Sequence, residues 1–163
     1  MQKPKHYKTF EEKKYDKWNF LAKAALIIHL VCMGFICPDR AEDYGPDLIA
    51  YEKVNGVYVD HLYNHEVEVL VGWKEEGPPP GYFKEDRIFA RKAKMIMGLS
   101  SNECLTFWQL NRPMTHALTV GHTAFYGKKF KEREVTMEKG RKGMDSFVVW
   151  PKGTFRLVKL RKC

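Results

Sequence analysis

Eight residues near the middle of the chain, Glu66 to Trp73 (E-V-E-V-L-V-G-W), set valines at every second position. Period-two alternation is the mark of a β-strand, whose successive side chains point to opposite sides. Val67, Val69, Val71 and Trp73 then share one side, and Glu66, Glu68 and Leu70 the other. So many valines imply a central, covered strand, and hence a sheet with a second layer over it. Two carboxylates on one side of such a strand repel each other and lose hydration. They need a compensating cation, or else an edge position.

The flanking elements follow from local chemistry. Asn55-Gly56 predicts a tight hairpin, with Asp47 to Tyr51 as one short strand, reached through Gly45-Pro46, and Val57 to Leu62 as its antiparallel return. Gly77-Pro78-Pro79-Pro80-Gly81 must be a loop. Arg87 to Met97 fits strand or helix. Leu105–Leu110, Ala117–Val120, Ser146–Trp150 and Phe155–Leu160 read as strands, with a turn at Lys152-Gly153. Upstream, Trp18, Leu21, Ala25, Ile28, Cys32 and Phe35 recur at 3–4 spacing, with Ala24, Ile27 and Val31 widening the stripe. That predicts a helix pressed deeply into a core and ended near Gly34 and Pro38. The run from Phe20 to Cys37 is long enough to cross a bilayer, but Lys23 and His29 interrupt it, so no stable membrane association is expected. Nineteen mostly polar residues before it do not suit a signal peptide.

Composition narrows the class further. A length of 163 residues suits one domain, and 44% hydrophobic with 13% aromatic residues excludes a disordered tail. The net charge of +8 is unevenly distributed: residues 1–37 carry +4, residues 38–76 carry −7, and residues 77–163 carry +11. An acidic island inside a basic chain suits a protein that grips a polyanion while holding cations at one place. Lys128, Lys129, Lys131 and Arg133, then Lys139, Arg141 and Lys142, predict a strand pair joined by a lysine-rich loop that touches phosphates. Cys32, Cys37, Cys104 and Cys163 form no C-x-x-C pair, so they are expected to be reduced, buried thiols of a cytoplasmic protein rather than zinc ligands. His61 and His65 lack the glutamate of a metalloprotease helix. Trp73, Trp108 and Trp150 are expected in the core, and Asn111 fits a substrate contact and a turn before Arg112-Pro113 equally well.

Three acids concentrate the chemistry. If Asp47 adjoins the strand of Glu66 and Glu68, three carboxylates converge as a hard-oxygen site for Mg²⁺ or Mn²⁺, and a metal there could activate water against a phosphodiester. Pro46-Asp47 followed nineteen positions later by Glu66-Val67-Glu68 resembles the PD-(D/E)XK (restriction-endonuclease-like) nuclease superfamily. The long preceding helix and the basic segment after the second strand are similar to that family's order of elements, and the resemblance covers about residues 10–95. It implies that Asp47 and Glu66 ligate the metal. Glu68 stands where the family most often has lysine, so it would serve as a base or further metal contact, with the positive charge supplied from elsewhere. Arg91, Lys92 and Lys94 are the favoured sources, Lys92 as the catalytic one, and Lys74 lies past the strand. Glu12 and Asp16 are the positions for the acid that the family often places on its first helix.

The expectation is therefore an α/β chain (α+β being the neighbouring class) with a restriction-endonuclease-like core: a long N-terminal helix on a mixed central sheet, plus extra C-terminal strands. Residues 1–163 would form one nuclease-like domain, with 10–95 the catalytic core and 96–163 the remaining sheet and basic loop. The function expected is a Mg-dependent endodeoxyribonuclease, with RNA left open as substrate and a homodimer left open as assembly. It would act in the cytoplasm, that of the host if the chain is viral. The alternatives are a non-catalytic nucleic-acid-binding module and a membrane-tethered or protein-interaction domain using residues 20–37.

Overall fold

The computed structural model describes the backbone over residues 7–38, 47–81, 83–89, 104–121, 131–136 and 144–163, and side chains over 17–38, 47–52, 54–57, 63–81, 83–88, 105–121 and 148–163. Among the described residues one helix, α1 (Tyr7–Cys32), precedes nine strands. These are β1 (Phe35–Ile36), β2 (Leu48–Val54), β3 (Val57–Leu70), β4 (Glu85–Phe89), β5 (Cys104–Asn111), β6 (His116–Gly121), β7 (Lys131–Thr136), β8 (Met144–Pro151) and β9 (Arg156–Lys159). Six strands form a mixed sheet in the order β1-β2-β3-β5-β6-β9, and three form a second sheet in the order β4-β8-β7. All the neighbours pair antiparallel except β3 and β5, which run parallel from Tyr63–Cys104 to Leu70–Asn111. The result is a mixed α+β chain with one helix against a mixed sheet. Its elements fit that class but not the specific restriction-endonuclease-like core.

Two apolar clusters cover the two sides of the six-stranded sheet. Ala22, Leu26 and Leu30 of α1 pack on Leu48, Ala50, Val67, Trp108, Leu110 and Ala117. Leu105, Phe107, Leu118 and Val120 meet Ile88, Val148 and Trp150 of the smaller sheet on the other side. Each large side chain so buried contributes about 1.5–3 kcal/mol, so the sandwich is held from both faces.

Some elements differ from the sequence reading. The hairpin forms where predicted: Val54 pairs with Val57, and Asn55 and Gly56 take the positive φ of 52° and 80° that a tight primed turn requires. Its return strand does not stop at Leu62 but runs as one strand through Glu66 and Glu68 to Leu70. The alternation then breaks. A turn at Val71-Gly72, closed by the Trp73 N–H donating to the Leu70 carbonyl at 2.8 Å, carries Trp73 into the inter-sheet cluster, opposite Val67 and Val69.

The buried stripe of α1 is also rotated from the predicted one. Ala22, Leu26, His29 and Leu30 are buried, whereas Leu21, Ile28 and Val31 are 37%, 47% and 50% exposed. Residues 20–33 are apolar almost all round, so spacing alone leaves the helix's rotational phase undetermined. The helix ends as expected, with Gly34 at φ 93°.

The cysteine reading is corrected as well. Cys32 and Cys163 form a disulfide across a separation of 131 residues, while Cys37 is a free, half-buried thiol. No C-x-x-C spacing announces this pair because its partners come from opposite ends of the chain. Fold topology brings them together: β9 lies beside β6, and the tail leaving it reaches the C-terminal end of α1.

Candidate functional site

Asp47 sits immediately before β2, one register step beyond the Leu48–His65 pair, so it lies opposite Glu66. Its Oδ2 accepts the Val67 N–H at 2.9 Å, and Glu66 Oε1 accepts the Asp47 N–H at 3.3 Å. Each acid thus extends the β2–β3 ladder by taking a backbone donor of the other strand. Such bonds to a carboxylate are stronger than neutral ones. The Lys23 ammonium, reaching from α1, is 2.9 Å from Asp47 Oδ1, with the two side chains 34% and 19% exposed. Glu66 is only 6% exposed.

Glu68 lies two residues along the same side of β3, next to Gln109 in the parallel register. The Gln109 amide donates to Glu68 Oε1 at 2.6 Å and to the Arg87 carbonyl at 2.7 Å. Since Gln109 is 2% exposed, one buried amide ties the second acid to the smaller sheet. Beyond it, Val69, Leu70, Phe83, Lys84, Glu85 and Arg87 line an open cleft of about 470 Å³.

Of the three acids singled out from the sequence, Asp47 and Glu66 are brought together and Glu68 is held separately by Gln109. Among the described residues no group of three or more His, Cys, Asp or Glu is arranged as a metal cluster. Arg91, Lys92, Lys94, Lys128, Lys129, Arg141 and Lys142 lie outside the described residues. Lys131 opens β7 opposite Val149, and Arg133 stands opposite Phe147, in the strand pair expected there. Glu12 and Asp16 fall within α1, with side chains outside the described set. Lys74 is exposed beyond the end of β3.

Sequence reading assigned neither Lys23 nor Gln109 to the site. A lone lysine inside an apolar helical run needs a partner for its charge, and a glutamine between Trp108 and Leu110 in a buried strand needs partners for its amide. Both signals were present in the residue pattern, although neither names the partner.

A second polar group lies between α1 and the sheet. His65 Nδ1 accepts the Trp108 indole N–H at 3.0 Å, and the Trp108 ring meets His29 edge-on at 5.7 Å. His29 Nδ1 in turn accepts the Arg161 backbone N–H at 2.9 Å. Burial pushes His65 down to about 4 and lowers His29 too, with the Arg161 charge adding to the effect there. Both rings are therefore neutral acceptors that fasten the β9 tail and β5. Asn111 is likewise structural: fully buried, it holds the Thr115 and His116 N–H groups on its Oδ1 and so shapes the β5–β6 turn. Asp86 closes another turn by accepting the Phe155 N–H at 2.8 Å, and burial raises its carboxyl against the pull of that bond.

No helix among the described residues is long and apolar enough to cross a membrane. Comparison with protein-family models, with curated proteins and with solved structures finds no match to this chain.

Proposed function

We propose that this protein is a metal-dependent nuclease that hydrolyses phosphodiester bonds in DNA, related to the restriction-endonuclease-like superfamily. The observation that carries the reading is the Asp47–Glu66 pair on neighbouring strands, with the Lys23 ammonium 2.9 Å from Asp47. Lys23 supplies the positive charge that the residue at 68, being glutamate, does not. Helix α1 lying on a mixed sheet supports the coarser expectation of a helix-on-sheet class.

The donor chemistry suits Mg²⁺ or Mn²⁺, since Mg²⁺ typically takes one or two carboxylates and keeps several waters. Asp47 and Glu66 would hold it, and when bound it would supply Lewis-acid stabilisation and an activated water. Lys23 would face charge developing on the phosphate. Glu68, its Oε1 held by Gln109, would orient the attacking water through its carboxylate. Arg91 and Lys92 remain the further residues assigned to the phosphate.

Cleavage of plasmid, single-stranded and branched DNA, with and without Mn²⁺, tests this. Asp47→Asn and Glu66→Gln are suitable variants because an amide oxygen can still accept the Val67 or Asp47 N–H, so the ladder survives while the anionic donor is lost. Both variants should lose cleavage while keeping the wild-type melting profile. Wild-type cleavage rates in both would remove the reading.

A second reading has its own support. Asp47 and Glu66 already accept backbone donors, and Asp47 is already paired with Lys23. The group is therefore satisfied without an ion, as in a non-catalytic nucleic-acid-binding module. DNA binding with no cleavage under any divalent ion would favour that module.

A further inference from the structure

The far edge of the six-stranded sheet carries a different charge pattern. Residues 146–163 contain no acid, and within them Lys152, Arg156, Lys159, Arg161 and Lys162 are all exposed. None of these five side chains forms an ion pair among the described residues, and of the five Lys152, in the turn before β9, lies near enough to Asp86 to stabilise its charge. The segment is also held in place. Strand β9 pairs with β6 from His116–Lys159 to Thr119–Arg156, and the Leu160 N–H extends that ladder to the Thr115 carbonyl at 2.8 Å. His29 then receives the Arg161 N–H, and Cys163 is bonded to Cys32.

We propose that β9 and the tail after it are a docking surface for the phosphate backbone of duplex DNA. Cations fixed on an anchored backbone lose less freedom on binding than cations on a free tail. Because no acid among the described residues forms an ion pair with Arg156, Lys159, Arg161 or Lys162, contact with phosphates releases condensed counterions without first breaking such a pair.

Register places this surface relative to the acids. Val67 pairs with Trp108, Trp108 with Thr119, and Thr119 with Arg156. Arg156 thus shares a cross-sheet row with the residue whose N–H Asp47 grips. Three strand spacings separate the row's ends, about 14 Å, comparable with the ~12 Å width of a major groove. The middle of that row lies under α1, so the row fixes the spacing between the two ends of the sheet. An anionic membrane is the competing polyanion, but β9 itself offers only Leu157, 40% exposed, as an apolar group to insert.

This assignment extends the nuclease reading to how its substrate is held, and binding separates it from catalysis. The full-length disulfide-bonded protein is titrated into a fluorescent 20-base-pair duplex in EDTA, so that nothing is cut, and into vesicles containing phosphatidylserine. The variant Arg156→Gln/Lys159→Gln/Arg161→Gln/Lys162→Gln is compared with the parent. Both are checked for the same melting profile, and the pair Lys159→Gln/Lys162→Gln replaces the fourfold variant if that profile changes. The fourfold variant should bind the duplex at least tenfold more weakly, with the slope of log affinity against log salt reduced by about 3–4. The pair variant should reduce the slope by about 2. Equal duplex affinity and slope for parent and variant, or parental binding to vesicles but not to duplex, would overturn the proposal. In the first case the charges merely guard an edge strand against self-pairing. Loss of binding in a protein that never cleaves would leave this surface standing while the nuclease reading fell.

Discussion

The two ends of the six-stranded sheet treat charge in opposite ways. At the β2–β3 end Asp47 faces Lys23 and the Val67 N–H, Glu66 takes the Asp47 N–H, and Glu68 takes the Gln109 amide. At the β9 end Arg156, Lys159, Arg161 and Lys162 are exposed and form no ion pair among the described residues. Charges inside the fold must be compensated, since an unpaired buried carboxylate costs several kcal/mol. Charges on an exposed edge need no such partner, because water solvates them. The paired end therefore serves the fold whatever else it does, and the unpaired end is available to something outside it.

The largest expected effect concerns how the basic end is fastened. A crosslink closing a loop across 131 residues stabilises by about 5 kcal/mol on the chain-entropy account. Cys163→Ser, or reduction of the native protein, should shift the denaturant midpoint sharply downward. A midpoint unchanged by reductant would show that β9 and its tail are held by the ladder and His29 alone.

Next comes the acidic end. Asp47→Asn and Glu66→Gln should each lower cleavage by on the order of 10³-fold, about 4 kcal/mol of transition-state stabilisation, with little change in melting. A large melting change with cleavage intact would make the acids purely structural and erase the functional side of the contrast.

A third effect runs through the histidines between the two ends. The unfolded chain binds a proton at His65 near pH 6.5, whereas the folded chain does so only near 4. Between those values the unfolded state holds more protons, so stability is full above about pH 6.5 and falls as pH drops toward 4. The loss attributable to His65 is about 3 kcal/mol. Its lowered neighbour His29 acts in the same direction. Unfolding titrations at pH 7.5 and 4.5 measure this, and His65→Gln should flatten the difference. An equally steep dependence in that variant would shift the cause to other groups.

The smallest effect belongs to the ion pair. With both partners partly solvent-exposed, Lys23→Met should cost less than about 1 kcal/mol of stability. Its effect on cleavage should nonetheless be about tenfold, because the ammonium beside Asp47 is assigned to the phosphate. Parallel losses in both measurements would reduce Lys23 to a helix–strand tether.

Much of the fold was legible because its signals are local. Asn55-Gly56 requires positive φ at two successive residues, and the valines at every second position specify a strand whichever neighbours it acquires. The Asp47–Glu66 adjacency was legible too, through the hairpin that folds one strand back on the other. What escaped local reading was long-range or degenerate. Period two could not show that the chain turns at Val71-Gly72 and sends Trp73 to the opposite cluster. Helical spacing could not choose a face of a segment that is apolar nearly all round, so the helix was expected to bury Ile28 when it buries Leu26 and His29. Gln109 and Lys23 stood out as polar residues in apolar runs, yet only β3–β5 pairing and helix docking name their partners.

The sequence by itself determined most of the strands, though not β1 or β4, the hairpin, the helix and its end, and the separation of acidic from basic residues. These depend on backbone dihedrals and side-chain period within a few residues. Tertiary structure alone decided that Cys32 meets Cys163, that His29 holds the tail after β9, and that Lys23 rather than a later lysine stands beside Asp47. Each of those contacts joins residues distant in the chain, and its geometry is set by strand order and helix placement, which no local pattern encodes.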